Sequence, residues 1–170
     1  MKVEFLNPFV YAGMQVLSSE AGVSRWELGK PYLVRMDKTR HAANVVIGVT
    51  GAVYGLVIYG MDLAVAKAVV KAMVGAPLKL NDPMAESALG ELGNLITGLA
   101  STLLEEKGYP CRISPPAIVR GTAVRLTEVT IPMVVVPMTT ALGAIHIQLA
   151  LEEAAGTGGW SAQEREMRGA

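Results

Sequence analysis

The sequence predicts an α+β protein in which one mainly antiparallel sheet packs against helices. Three observations predict it. The periodic segments run in the order helix, strands, helix, helix, strands, which suits a layered α+β domain better than alternating βαβ units. Two stretches without a formal charge, residues 42–61 and 129–151, are rich in β-branched residues and interrupted by turn or proline positions. Between them, residues 81–116 hold a long amphipathic helix with both ends marked.

In chain order, residues 7–20 read as a first helix, with Asn7 as its cap, Pro8 at the first helical position and Val10, Met14 and Leu17 as a core stripe. A loop over 21–30 leads to an edge strand at 32–37 and a charged turn, Lys38-Thr39-Arg40. Residues 43–60 form a hairpin that turns at Thr50-Gly51-Ala52. Asp62 caps a helix running to about residue 74, with Val65, Val69 and Met73 inward, and Gly75-Ala76-Pro77 breaks it. The long helix follows. Asp82 is its N-cap and Pro83 its first residue, where a missing N–H costs nothing. Gly108 closes it as a left-handed cap just after Lys107, whose charge suits the C-terminal dipole. Leu89, Leu92, Ile96, Leu99 and Leu103 recur at steps of three and four and face the core. Short strands at 111–114, 123–129, 131–136 and 144–151 complete the sheet, with a turn at Pro115-Pro116. Residues 1–153 are expected to form one domain and 154–170 a flexible tail.

Composition excludes several classes. Net charge is zero and no basic stripe exists, so nucleic acid is not expected as a partner. A single cysteine, Cys111, rules out an internal disulfide framework. His41 and His146 are far apart with no further ligand at metal spacing, so no metal or other cofactor is expected on this chain. Neither a Walker loop nor a dinucleotide-binding glycine fingerprint is present. The two uncharged stretches are long enough to span a bilayer, but their turn residues, prolines and alternation read as hairpins of a buried sheet. The apolar run at the start is broken by Asn7-Pro8 and has no cleavable signal pattern, so a cytoplasmic protein without membrane insertion is expected. Charged residues make up only 18% against 51% hydrophobic, which leaves little charge to cover the surface and suggests burial in an oligomer.

The outer face of the long helix carries the chemistry. Ser87, Glu91, Asn94, Gly98 and Ser101 form a polar ridge of small residues, with Gly90, Gly93 and Thr97 beside it. Each helical glycine costs about 1 kcal/mol relative to alanine. A low surface that another backbone approaches closely would explain that cost, so Ser87, Gly90, Gly93 and Gly98 are read as partner-binding positions. Glu91 and Asn94, at i and i+3, are the functional groups left standing on it. The pair alone is weak evidence, since Glu4 and Asn7 repeat the same spacing.

Ser87-x-x-x-Glu91-x-x-Asn94, followed by Ser114-Pro115-Pro116, resembles the signature of the CheC/CheX/FliY family of chemotaxis phosphatases. The wording around it, SAxGELGN and then the run from Gly108 to Gly121, is most similar to the CheX members. The spacing from Asn94 to the prolines is slightly shorter than the CheC form. Glu4 and Asn7 lack the preceding Asp or Ser and stand before the first expected helix, so one site is counted where CheC-type members carry two. The resemblance implies a CheC-like fold with a long active-site helix and a homodimer joined through the sheet. It implies a phosphorylated CheY-type receiver domain as partner, which brings its own Mg²⁺, and removal of its aspartyl phosphate. Asn94 would orient the attacking water and Glu91 would anchor a receiver lysine, with Ser87 supporting that face.

Three rival readings survive at the level of sequence. One is a binding or scaffold module for a response regulator or flagellar switch; another is a CheC-like regulator that docks a deamidase. The third is a globular domain whose glycine-rich helix merely packs tightly on a neighbour.

Overall fold

The computed structural model describes residues 3–35, 38–124 and 132–154. Among the described residues three helices lie against an antiparallel eight-stranded sheet. In chain order the elements are α1 (Val3–Ala21), β1 (Trp26–Leu28), β2 (Tyr32–Val34), β3 (Ala43–Gly51), β4 (Val53–Met61), α2 (Leu63–Val74), α3 (Pro83–Glu106), β5 (Cys111–Ile113), β6 (Ala117–Arg120), β7 (Met133–Thr140) and β8 (Gly143–Glu153). The sheet order is β1-β7-β8-β4-β3-β5, with β2 also on β7 and β6 also on β3. Each edge is therefore two short strands rather than one long one, which limits the unpaired backbone offered to another chain.

The two uncharged stretches are the central hairpins β3–β4 and β7–β8. Their helix-facing residues, among them Val45, Ile47, Val57, Tyr59, Ile147 and Leu149, meet Phe5, Phe9, Ala12, Leu92, Ile96 and Leu104 in one core. Among the described residues no helix is long and apolar enough to cross a membrane.

Several sequence expectations are corrected. The first helix begins at Val3, not Asn7, and Pro8 lies inside it. Burial of Phe5 and Leu6, with Phe5 edge-on to Tyr109 at 5.0 Å between ring centres, holds the extra turn in helical form. Phe9, Ala12, Val16 and Leu17 are its buried stripe, while Val10 and Met14 are only partly buried. The loop expected over 21–30 contains β1, which pairs with Thr140–Met138 of β7. The strand expected to stop at Val136 continues through Pro137 to Thr140. Backbone N and O of one residue point to the same side of a strand, and Pro137 O accepts from Gly29 N at 2.8 Å. The missing N–H of Pro137 thus faces the break between β1 and β2 and not β8, so the β7–β8 ladder loses no bond to it.

On α2 the buried residues are Ala66, Val69 and Val70, not Val65 and Met73, which pack only partly. On α3 Leu104, rather than Leu103, is fully buried. β6 was not expected; it pairs with residues 43–46 of β3. Most of the strand expected at 123–129 lies outside the described residues, but Ala123 itself sits in a turn with φ 63°. Residues 36–37 of the expected edge strand, residue 131 and nearly all of the expected tail also lie outside them.

Candidate functional site

The site begins with the capping of α3. Asp82 accepts from Met84 N at 2.8 Å and Pro83 opens the helix, as the residue types require. At the other end Gly108 takes a left-handed φ of 89°, and Tyr109 N returns to Leu104 O at 2.9 Å.

The rotation of α3 about its axis is set from below. Thr97 is fully buried; its Oγ1 donates to Gly93 O at 2.7 Å and lies 2.8 Å from the Tyr59 hydroxyl on β4. Gly93 lies on the same line. A Cβ there would stand 2.6 Å from Val45 Cγ1 and 3.4 Å from Tyr59 Cδ2, so the glycine lets the helix descend onto the sheet. This corrects the reading of Gly93 as a partner-facing position: its missing side chain answers to this chain's own core. With about 100° per residue, Asn94 then stands about 100° round from Gly93 and Glu91 about 160°. The ridge is turned away from the sheet because Gly93 and Thr97 are turned toward it.

The ridge forms the floor of a groove of about 730 Å³. Glu86, Ser87, Gly90, Glu91 and Asn94 line it from α3, and Ile113, Ser114, Pro115, Pro116 and Ile118 from β5, β6 and their connection. Ser87 and Glu91 are exposed and Asn94 is partly exposed. The wall is fastened to the sheet through Ser114. Its Oγ accepts from Gly48 N at 2.9 Å and donates to Pro115 O, while its N–H bonds Gly48 O at 2.9 Å. Pro116 then leans over α3. A Cβ on Gly90 would meet Pro116 Cγ at 3.3 Å, so Gly90 is small to seat the wall as well as to keep the groove low. Among the described residues a Cβ on Gly98 would meet nothing within 4 Å, and no contact among them explains the glycine there.

The sequence-predicted residues Ser87, Gly90, Glu91 and Asn94 are thus brought together; Gly98 lies one turn further along, outside the groove lining. The apolar wall was missed, because the prolines read only as a turn. Its signal was present in the alternation Ile113, Pro115 and the pair Pro116, Ile118 after a helix that must return to the sheet edge. Glu86 was also missed; it pairs with Arg120 on β6. Glu4 and Asn7 do not precede the first helix as expected but lie inside α1, where the Glu4 carboxylate accepts from the Tyr109 hydroxyl at 3.1 Å. Among the described residues no group of three or more His, Cys, Asp or Glu stands where it could hold a metal ion.

Other titratable groups are shifted away from this groove. Burial pushes the Tyr59 hydroxyl well above its ordinary range, and burial also raises Cys111, against the opposing bond from Ser101.

An antiparallel sheet carrying a long helix whose outer ridge ends in a carboxylate and an amide over an open groove defines a CheC-like α+β protein. Solved structures share it. The crystal structure of the chemotaxis protein CheX from Desulfovibrio desulfuricans superposes with a TM-score of 0.77 at 30% identity, covering 88% of this chain and 99% of that one. The CheX–CheY–BeF₃–Mg²⁺ complex from Borrelia burgdorferi gives 0.72 at 27% identity, covering 89% and 100%. In sequence, the chain is 33% identical over 123 residues to the CheY-P phosphatase CheX of Thermotoga maritima, covering 71% of this chain and 78% of that protein. Residues 43–139 match the family model described as chemotaxis phosphatase CheX. The chain belongs to the CheX family of chemotaxis phosphatases.

Proposed function

We propose that this protein removes the phosphoryl group from the aspartyl phosphate of a CheY-type receiver domain. The observation that carries the proposal is the placement of Asn94 and Glu91 on one groove, held outward by a helix whose opposite line is locked to the sheet. The relatives that are named as CheX phosphatase and as a CheX–CheY complex support the choice of partner.

Hydrolysis of a phosphoryl group needs a water in line with the bond that breaks, and little covalent help. A carboxylate would be a poor positioning group, since it repels the phosphoryl oxygens. The Asn94 amide is neutral: its oxygen accepts from the water while its NH₂ donates to a phosphoryl oxygen. It orients the nucleophile without taking its proton. Glu91, one helical turn away, pairs with a lysine of the receiver and fixes α3 across the phosphorylation pocket. Mg²⁺ arrives with the receiver, held by the receiver's own acidic residues. Ser87 supports the Glu91 side of the ridge, and Gly90 and Gly98 keep it low. The apolar wall, Ile113, Pro116 and Ile118, is the second surface that the receiver rests on.

The test is phosphate release from a CheY-type receiver charged with acetyl phosphate. Asn94→Ala abolishes turnover, yet the variant still binds the receiver loaded with beryllofluoride, a stand-in for the phosphoryl group. Native turnover in that variant overturns the role of the amide.

The β1–β2 edge exposes Leu28, Tyr32 and Leu33, the last at 69% of its full area. These exposed side chains support a homodimer joined through the sheet, and light scattering on the purified chain tests whether a dimer forms.

A further inference from the structure

A second pocket, of about 470 Å³, opens where the start of α2, the α2–α3 loop and the end of β6 meet. Lys67, Lys79 and Arg120 line it together with Leu63, Leu80 and Asn81. In a chain of zero net charge, three cations and, among the described residues, no carboxylate line this one hollow. Arg120 has a structural task that accounts for its presence: Nη1 donates to Leu80 O at 2.9 Å and Nη2 pairs with Glu86. That task leaves Lys67 and Lys79 unexplained. They come from different elements, a helix and a loop, so helical periodicity does not account for both lining one pocket.

The chemistry of the lining is that of a compact anionic head on a small apolar body. The two ammonium groups and the Asn81 amide suit the head, and Leu63 and Leu80 suit the body. Arg120 also joins this pocket to the groove described above, because its guanidinium reaches Leu80 in one and Glu86 in the other. An anion seated beside Lys67 and Lys79 competes with Glu86 for that guanidinium. We propose that this pocket is a binding site for a small organic anion, an organic phosphate or carboxylate, and that its occupancy is linked to the groove through Arg120 and Glu86. The proposal does not depend on the phosphatase reading.

The experiment is an NMR titration of the ¹⁵N-labelled full chain with phenyl phosphate and, in parallel, with benzoate, at constant ionic strength. Saturable shifts are expected at the amides of Leu63, Lys67, Leu80, Asn81 and Gly121, and the tighter of the two probes identifies the head group. Lys67→Gln with Lys79→Gln weakens binding about tenfold, as loss of roughly 1.4 kcal/mol would. Glu86→Gln, which frees the guanidinium for the ligand, tightens binding several-fold. Shifts that grow without saturation, or a double lysine variant with unchanged affinity, overturn the site. Unchanged affinity in Glu86→Gln overturns the link to the groove.

Discussion

The Tyr59 hydroxyl and Thr97 Oγ1 lie 2.8 Å apart in the buried layer between β4 and α3. Thr97 has one hydroxyl proton and gives it to Gly93 O, so Tyr59 is the donor between them. The bond belongs to the fold, yet it decides where Asn94 points, because it fixes the rotation of the helix that carries both. Thr97→Val removes the acceptor and strands the buried Tyr59 hydroxyl, at a cost of about 1–3 kcal/mol. Tyr59→Phe leaves Thr97 still bonded to Gly93 and costs less, about 1 kcal/mol. Urea denaturation of the two variants checks the order; equal losses would mean that the hydroxyls do not share the proton in this way.

The glycines of α3 separate into those that serve the fold and one that does not. Gly93→Ala drives a methyl group against Val45 and destabilises the protein by about 1–3 kcal/mol. Gly98→Ala meets open space and stabilises the helix by about 0.5–1 kcal/mol. If Gly98 lies under the receiver, the same variant loses several-fold in kcat/KM while its melting temperature rises. Gly98→Ala with higher stability and full activity would remove Gly98 from the partner surface.

These glycines also mark what the sequence could and could not say. A glycine in a helix signals a close approach, but not from which side, because periodicity cannot tell a neighbouring strand from a visiting protein. The long helix was legible with both its ends, since Asp82, Pro83 and Gly108 are local signals that need no tertiary context. β6 was not, because Ala117–Arg120 becomes a strand only by pairing with β3. α1 was read short for the opposite reason: Asn7-Pro8 is a strong local signal, and burial of Phe5 against Tyr109 overrides it. The ridge of Ser87, Glu91 and Asn94 could be read from spacing alone, whereas its facing wall depends on how the chain returns across the sheet edge.

Glu91 is exposed in the groove, so the pairing proposed for it with a receiver lysine would be an interaction across an interface rather than part of this fold. Glu91→Lys places like charges together, and affinity for the beryllofluoride-loaded receiver falls by about ten- to a hundredfold at low salt. The loss shrinks as ionic strength rises toward 0.5 M, where the Debye length is only about 4 Å. Thermal stability is unchanged, because among the described residues Glu91 makes no hydrogen bond or ion pair. Calorimetric titration at several salt concentrations checks the trend, and a salt-independent loss would mean that Glu91 acts through shape rather than charge.

His41 and His146 stack on the face of the sheet opposite the helices, with ring centres 4.3 Å apart and planes inclined by 20°. Burial lowers the pKa of both below the ordinary histidine value; His146 and Arg40 lower His41 further, while Asp62 works against the shift on each. Gly60 runs beneath them, so close that a Cβ there would stand 2.3 Å from His41 Cδ2. The sign follows from linkage: with folded values below the unfolded ones, the unfolded chain takes up protons first as pH falls. The contribution of this pair to stability is therefore present above about pH 6.5, the unfolded histidine value, and is lost as pH drops from there toward the folded values. His146→Phe keeps an aromatic ring in the stack and removes one titrating group, so the loss of denaturation free energy between pH 7.5 and 5.5 becomes shallower. Should the native chain hold its stability or gain it across that interval, the imidazoles are not held neutral by their surroundings.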